Sequence, residues 1–245
     1  VTYDQTLAPA SSPVRLGVAR TLNTPTYTVA TPRSLWLWDA QVSQPSGYVS
    51  AWADQSGTGN DFAQATVIQQ PEVSLFNGRP STRFRGDPVA ATIKHVMAGT
   101  LTGATDDYTV FGVFDQKVLT AIQNVLGING GTGSISPRDS TSSVGIYDGM
   151  TWRPTAAAVL GQQVLTWRLD SAGLALACWR DGVSLGGAAW DGSMGPGVNV
   201  SLGALLVGGT QPLNAELPEL LVYNRLLATA EQSQVEAYLA ARYGL

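Results

Sequence analysis

The sequence predicts an all-β fold, a jelly-roll sandwich of two antiparallel sheets finished by one short C-terminal helix. Three observations lead there. Short apolar runs with period-2 or continuous character recur along the chain, each bounded by Gly, Asn or Asp. The composition favours turns, with 27 Gly and 13 Pro in 245 residues. An Asp181-Gly182 step separates two strand-like runs, and a type I′ hairpin demands such a pair because both centres need positive φ.

Residues 1–33 stand apart. Pro9, Pro13, Pro25 and Pro32 are too closely spaced for a helix, and the Thr, Ser and Ala around them suit an extended arm. Such an arm lies along a sheet edge, clasps a neighbouring subunit to make a homo-oligomer, or is a poorly ordered leader. Residues 34–245 read as one sandwich domain. Strands are expected at 34–38, 49–52, 81–84, 109–114, 123–128, 143–147, 163–169, 174–180, 198–207 and 217–223. About ten to twelve strands at this spacing imply two packed sheets, not βαβ units.

One segment breaks the pattern. Thr229–Tyr243 places Val235, Tyr238, Leu239 and Arg242 on one helical face. Thr229 is the expected N-cap, Gln232 completes a capping box, and Gly244 is the expected stop. Cys178 lies in an apolar run without a basic neighbour and reads as a small buried hydrophobe.

Composition also narrows function. Only 13% of residues are charged and the net charge is -4, which offers no cationic footprint for nucleic acid. No run reaches the roughly 18 apolar residues of a membrane span. The first thirteen residues lack the basic-then-apolar pattern of a signal peptide. A single Cys excludes an internal disulfide or thiolate zinc cluster, and a single His excludes a two-His metal site.

Several stretches carry a family resemblance. Leu35-Trp36-Leu37-Trp38-Asp39-Ala40 is followed by Val49-Ser50-Ala51-Trp52-Ala53-Asp54-Gln55-Ser56-Gly57 and Gly59-Asn60-Asp61. Then come Gln64-Ala65, Pro71, Asn77-Gly78-Arg79-Pro80 and Arg83-Phe84-Arg85-Gly86. Trp167-Arg168-Leu169 and Trp179-Arg180-Asp181-Gly182-Val183 occupy the middle. Glu219-Leu220-Leu221-Val222-Tyr223-Asn224-Arg225-Leu226-Leu227 runs into the helix and Arg242-Tyr243-Gly244-Leu245. From residue 35 to 245 this resembles the concanavalin A-like lectin/glucanase superfamily, in its laminin G-like branch of bacterial surface and phage virion proteins. The resemblance implies a jelly roll at an extracellular or virion surface. It leaves function open, since the fold hosts lectins, hydrolases, lyases and assembly modules.

The residues themselves decide among these. Asp54, Ser56, Gly57, Asn60 and Asp61 read as a turn that bonds its own backbone. A Ca²⁺ held by Asp54, Asn60 and Asp61 is the sharper alternative, because oxygen-rich loops suit that ion. Trp36, Trp38 and Trp52 alternate with polar or small residues as core-facing strand residues do. A hydrolase of the resembled fold would carry Glu, Asp and Glu on one strand face; the chain has only Glu72, Glu216, Glu219, Glu231 and Glu236, none so spaced. A lyase would need a Gln-x-His strand, and His95 sits in Lys94-His95-Val96. A Ser–His–Asp triad would also have to use His95, and no Gly-x-Ser-x-Gly elbow occurs. No catalytic residue emerges.

Binding remains. Residues 130–155 read as the longest turn-rich insertion, holding Arg138, Asp139, Tyr147, Asp148, Trp152 and Arg153, with Trp190 in another Gly-rich turn. Aromatic rings that stack on sugar faces, beside Asp and Arg that bond hydroxyls, make a carbohydrate subsite. The expected activity is glycan recognition without catalysis. The alternatives are a virion assembly part, such as a capsid decoration or tail-fibre module bound to a neighbouring virion or surface protein, and a polysaccharide hydrolase or lyase.

Overall fold

The structure, a computed structural model, describes residues 35–39, 47–56, 59–86, 94–101, 107–128, 133–190, 199–206 and 208–245. The arm expected at 1–33 lies outside the described residues. Sixteen strands occur among those described. They are β1 (Leu35–Asp39), β2 (Ala51–Trp52), β3 (Phe62–Ala63), β4 (Glu72–Phe76), β5 (Arg79–Arg85), β6 (Met97–Thr100), β7 (Tyr108–Gln116) and β8 (Leu126–Ile128), followed by the eight of the second half. Those are β9 (Gly133–Ser136), β10 (Ser143–Tyr147), β11 (Trp152–Ala157), β12 (Gly161–Asp170), β13 (Ala175–Arg180), β14 (Val183–Ala189), β15 (Asn199–Leu202) and β16 (Asn214–Tyr223). One helix, α1 (Thr229–Tyr243), closes the chain.

The strands form two antiparallel sheets, as expected. The first runs β14-β13-β12-β7-β16-β5-β4, with β1 also paired to β16; the second runs β11-β10-β9-β8-β15-β6-β3-β2. Alternation along β7 shows why they stack. Tyr108, Val110 and Phe114 enter the core between the sheets, while Phe111 and Val113 join the cluster beneath the helix. From the second sheet Trp52, Phe62, Met97, Leu126, Ile135 and Ile146 meet Phe84, Leu165, Trp167 and Leu220 of the first. The Phe114 and Trp167 rings meet edge-on at 6.0 Å. Each such side chain contributes about 1.5–3 kcal/mol on burial. Cys178 is buried in the same core, and burial pushes its thiol up to about 12.

Helix α1 seals the outer face of the first sheet, where Val235, Leu239 and Tyr243 pack on Phe76, Phe111, Val113, Val164 and Leu221. The buried stripe is Gln232, Val235, Glu236, Leu239 and Tyr243, so the expected stripe is corrected: Tyr238 is 41% exposed. A polar seam runs beneath it. Thr166 Oγ1 and Gln232 Nε2 donate to Glu236 Oε1 at 2.8 and 2.9 Å, and Tyr243 Oη donates to Glu219 at 2.8 Å. The cap also shifts by one residue from expectation. Ala228, whose methyl cannot accept a hydrogen bond, is the N-cap; Glu231 accepts its N–H at 2.8 Å. Gly244 stops the helix at φ +70°, as expected.

Other boundaries move for steric reasons. The expected 130–155 insertion is instead largely β9, β10 and β11, one lateral part of the second sheet. The strand expected at 198–207 ends at Leu202, because Gly203 turns the chain back at φ +85°. The following strap crosses β8 so closely that a Cβ on Gly127 would stand 1.9 Å from the Leu205 carbonyl oxygen. The Asp181-Gly182 hairpin forms as expected, at φ 51° and 76°.

One pH dependence follows from the helix start. Arg225 bonds both Glu231 oxygens at 2.8 Å, and this pairing, outweighing partial burial, lowers the Glu231 carboxyl from 4.5 to about 2. A depressed carboxylate stabilises the fold above its unfolded pKa, and that contribution is lost as pH falls from about 4.5 to about 2. For this partly exposed pair it is on the order of 1 kcal/mol or less. We expect Glu231→Gln to remove this part of the acid stability slope in urea titrations at pH 2.5 and 6, and to leave the rest.

Candidate functional site

The β10–β11 hairpin supplies the first cluster. Val144 and Ile146 point into the core, so alternation turns Tyr147 outward. Trp152 sits directly opposite it across the strand pair, and the two rings pack at 5.2 Å and 44°. Both are half-buried. The tip beneath them is rigid. Asp148 Oδ1 accepts the N–H groups of Met150 and Thr151 at 3.0 and 2.8 Å, and Oδ2 accepts Arg153 Nε at 2.5 Å. Burial opposes ionisation of Asp148, but these three donors outweigh it and hold the carboxyl below its ordinary value. Tyr147 Oη donates to the Gly149 carbonyl at 3.0 Å.

Arg138 and Asp139 lie elsewhere. They precede β10 while the hairpin tip follows it, and five extended residues span about 17 Å. The single cluster expected from sequence is therefore two. Asp139 is fully buried; its Oδ1 accepts Thr141 N–H, Thr141 Oγ1 and Ser143 N–H at 2.7, 2.7 and 3.0 Å. It shapes a turn and does not face solvent. Arg138 donates to Ser142 Oγ at 2.8 Å and borders an open depression of about 350 Å³ with Ala121, Ile122, Ser140 and Gln211. Those four residues were missed. No spacing joins 121, 140 and 211; only the strap's return does.

Trp190 needs correction. It is 2% exposed and belongs to the inter-sheet core, so no ring face is open to a sugar. The expected calcium ligands form a turn that is already satisfied. Asp54 Oδ1 accepts Ser56 N–H at 2.8 Å, and Oδ2 accepts Ser56 Oγ and Asn60 N–H at 2.8 and 3.1 Å. Asp61 Oδ1 accepts Asp54 N–H at 2.8 Å. Protons thus occupy lone pairs on both Asp54 oxygens and on one Asp61 oxygen. Among the described residues no group of three or more His, Cys, Asp or Glu side chains gathers as a metal site would.

His95 is buried, and its Nδ1 accepts Arg85 N–H at 3.0 Å; burial lowers its pKa. A charged row was also missed. Glu72, Arg83, Glu216 and Asp115 stand side by side across β4, β5, β16 and β7, contributed by strands far apart in sequence. Its charges compensate one another. Arg85 pairs Glu72 at 2.8 Å, Lys117 reaches Asp115 at 2.5 Å and Glu216 at 3.9 Å, and Arg83 bonds Asn214 at 2.7 Å.

No family model and no curated protein matches this sequence. Solved structures do share the fold. Domain 4 of AbnA, a GH43 extracellular arabinanase from Geobacillus stearothermophilus in complex with arabinotriose, aligns at TM-score 0.55 and 15% identity, over 73% of this chain and 89% of that one. Trypanosoma rangeli sialidase in complex with sialic acid gives 0.57 and 14%, over 82% of this chain and 32% of that one. The botulinum neurotoxin type G receptor binding domain gives 0.57 and 8%, over 85% and 52%. This chain thus spans about a third of the sialidase and half of the toxin domain. At these identities the likeness shows a common β-sandwich.

The burial of Trp190 has a measurable consequence. Trp190→Ala should destabilise the fold by about 3–5 kcal/mol in chemical denaturation, the range for a large buried aromatic. An effect below about 1 kcal/mol would contradict a core role.

Proposed function

We propose that this chain is a non-catalytic carbohydrate-binding module whose platform is the Tyr147–Trp152 pair. One observation carries the reading: two aromatic rings are fixed side by side on the outward face of an edge hairpin, above an Asp148–Arg153 ion pair that stiffens the tip. Rings held in this way stack on the apolar face of a sugar at little entropic cost. Arg153, opposite Ile146 across the strand pair, lies on the other face and acts by holding Asp148. The sandwich shared with an arabinanase domain solved in complex with arabinotriose supports the reading.

The finer placement belongs to the same proposal. The motifs of residues 35–86 and 219–245 support the laminin G-like branch of the concanavalin A-like superfamily and a place on a cell or virion surface. Binding is independent of calcium, since the Asp54 oxygens are engaged within their own turn. Among hydrolase candidates the Asp115–Glu216 pair is the natural starting point, and the Lys117 ammonium spanning both oxygens favours an ion-pair ladder instead.

A glycan array, followed by calorimetry on the best neutral ligand, tests this. Trp152→Ala and Tyr147→Ala should each weaken binding about tenfold or more, with the circular dichroism spectrum unchanged and no effect of EDTA. Unchanged affinity in both variants would overturn the platform. An array without binders, with a homo-oligomer that dissociates when residues 1–33 are deleted, would replace the reading by an assembly role.

A further inference from the structure

We infer that the depression beside Arg138 is a second subsite, selective for a carboxylate-bearing sugar unit; the inference rests on the carbohydrate-binding reading and names a substrate class within it. The lining is chemically one-sided. Arg138, Ser140 and Gln211 provide the polar groups, Ala121 and Ile122 the apolar ones, and among the described residues no carboxylate borders the space. The nearest candidate in sequence, Asp139, is fully buried; its Oδ1 accepts three donors within its own turn, and its Oδ2 is enclosed in the protein without a hydrogen-bond partner. Gln211 Oε1 is already occupied by Asn124 Nδ2 at 2.8 Å, which leaves its amide nitrogen to donate. The lining therefore presents mainly hydrogen-bond donors and one guanidinium, suited to a carboxylate.

The site is also built, in the sense that strain and buried polar groups hold it. Six non-glycine residues among those described have positive φ, and three of them converge here. Ala121 (φ 58°) and Gln211 (φ 51°) line the depression, and Ser142 (φ 65°) takes the Arg138 hydrogen bond. Such left-handed conformations are strained for residues with a side chain, and they concentrate at functional sites. Behind the wall lie buried amides. Gln123 N–H donates to the Arg138 carbonyl at 2.8 Å, Gln116 Nε2 donates to Gln123 Oε1 at 2.8 Å, and Ser136 Oγ donates to Asn124 Oδ1 at 2.5 Å. This network fixes the 117–125 loop, the strap and the 137–142 turn against one another. A volume of about 350 Å³ matches one sugar unit, near the lower end of ligand sites at about 300–1,000 Å³.

The test compares uronate- and sialate-terminated oligosaccharides with their neutral, carboxyl-reduced counterparts by calorimetry, with acetate and inorganic phosphate as controls. The acidic glycans should bind about 10- to 100-fold more tightly than the reduced ones, and the preference should shrink in high salt. Gln211→Glu keeps the oxygen that Asn124 bonds but replaces the donor with a negative charge; it should abolish the preference, while Arg138→Ala should reduce it. Neutral-glycan binding at Trp152 should persist in Gln211→Glu. Equal affinity for acidic and reduced glycans, or a preference that survives Gln211→Glu, overturns this inference and leaves the aromatic platform standing. Equal retention of acetate or phosphate overturns sugar selectivity in favour of a general anion site. Absence of any glycan binding defeats both readings together.

Discussion

The contact on which the rest depends is the docking of α1 onto Phe111, Val113, Val164 and Leu221. Without it, strands β7, β12 and β16 would expose an apolar outer face while already burying their inner one. With it they are sealed on both sides, which is why β7 reads as a nearly continuous apolar run. The polar seam of Glu236, Thr166 and Gln232 fits this arrangement, since every burial of a charged group beneath the helix requires donors. The helix also removes the middle of that sheet from contact with ligands. What remains open is the charged row on β4, β5, β16 and β7, where Arg85 pairs with Glu72 and Lys117 with Asp115, and the periphery of the second sheet.

The second sheet is treated differently. Its outer face is crossed by a short strap after β15, admitted by the missing side chain of Gly127 and turned by Gly203. Because the strap bonds Asn124 through Gln211, the loop after β7 is drawn against it. The depression beside Arg138 is the space these segments leave. Further along the same sheet, among the described residues, no such strap crosses the β10–β11 hairpin, and Tyr147 and Trp152 stay half-buried. One sheet therefore carries a tilted aromatic pair and a hollow beside Arg138, separated by the length of β10. The pairing suits an extended ligand better than a single small molecule.

Much of the fold was legible in sequence. The alternation in 108–116 and 161–170, the Asp181-Gly182 turn and the Gly244 stop are local signals, set by pleat, φ preference and helix termination. The segment at 130–155 misled because β9 to β11 carry Gly, Ser and Pro, residues whose strand role is decided by partners and not by propensity. Trp190 misled for a related reason: a Gly-rich neighbourhood suggests a surface turn, yet its side chain enters the core. The helix stripe was misplaced by one position because Glu236 and Gln232, polar in sequence, are buried by bonds to Thr166 and each other.

The sequence by itself determined the class of fold, the hairpin, the terminal helix and the scarcity of catalytic side chains. It also named Tyr147, Trp152 and Arg138 as residues worth watching. Only the tertiary structure decided that Tyr147 and Trp152 share a face, that Arg138 belongs to a separate hollow with Ala121 and Gln211, and that Asp139 and Trp190 are interior. The physical reason is range. Periodicity and turn chemistry act between residues a few positions apart, whereas cross-strand register and strap packing join residues 90 or more positions distant, such as Ala121 and Gln211 or Arg83 and Glu216.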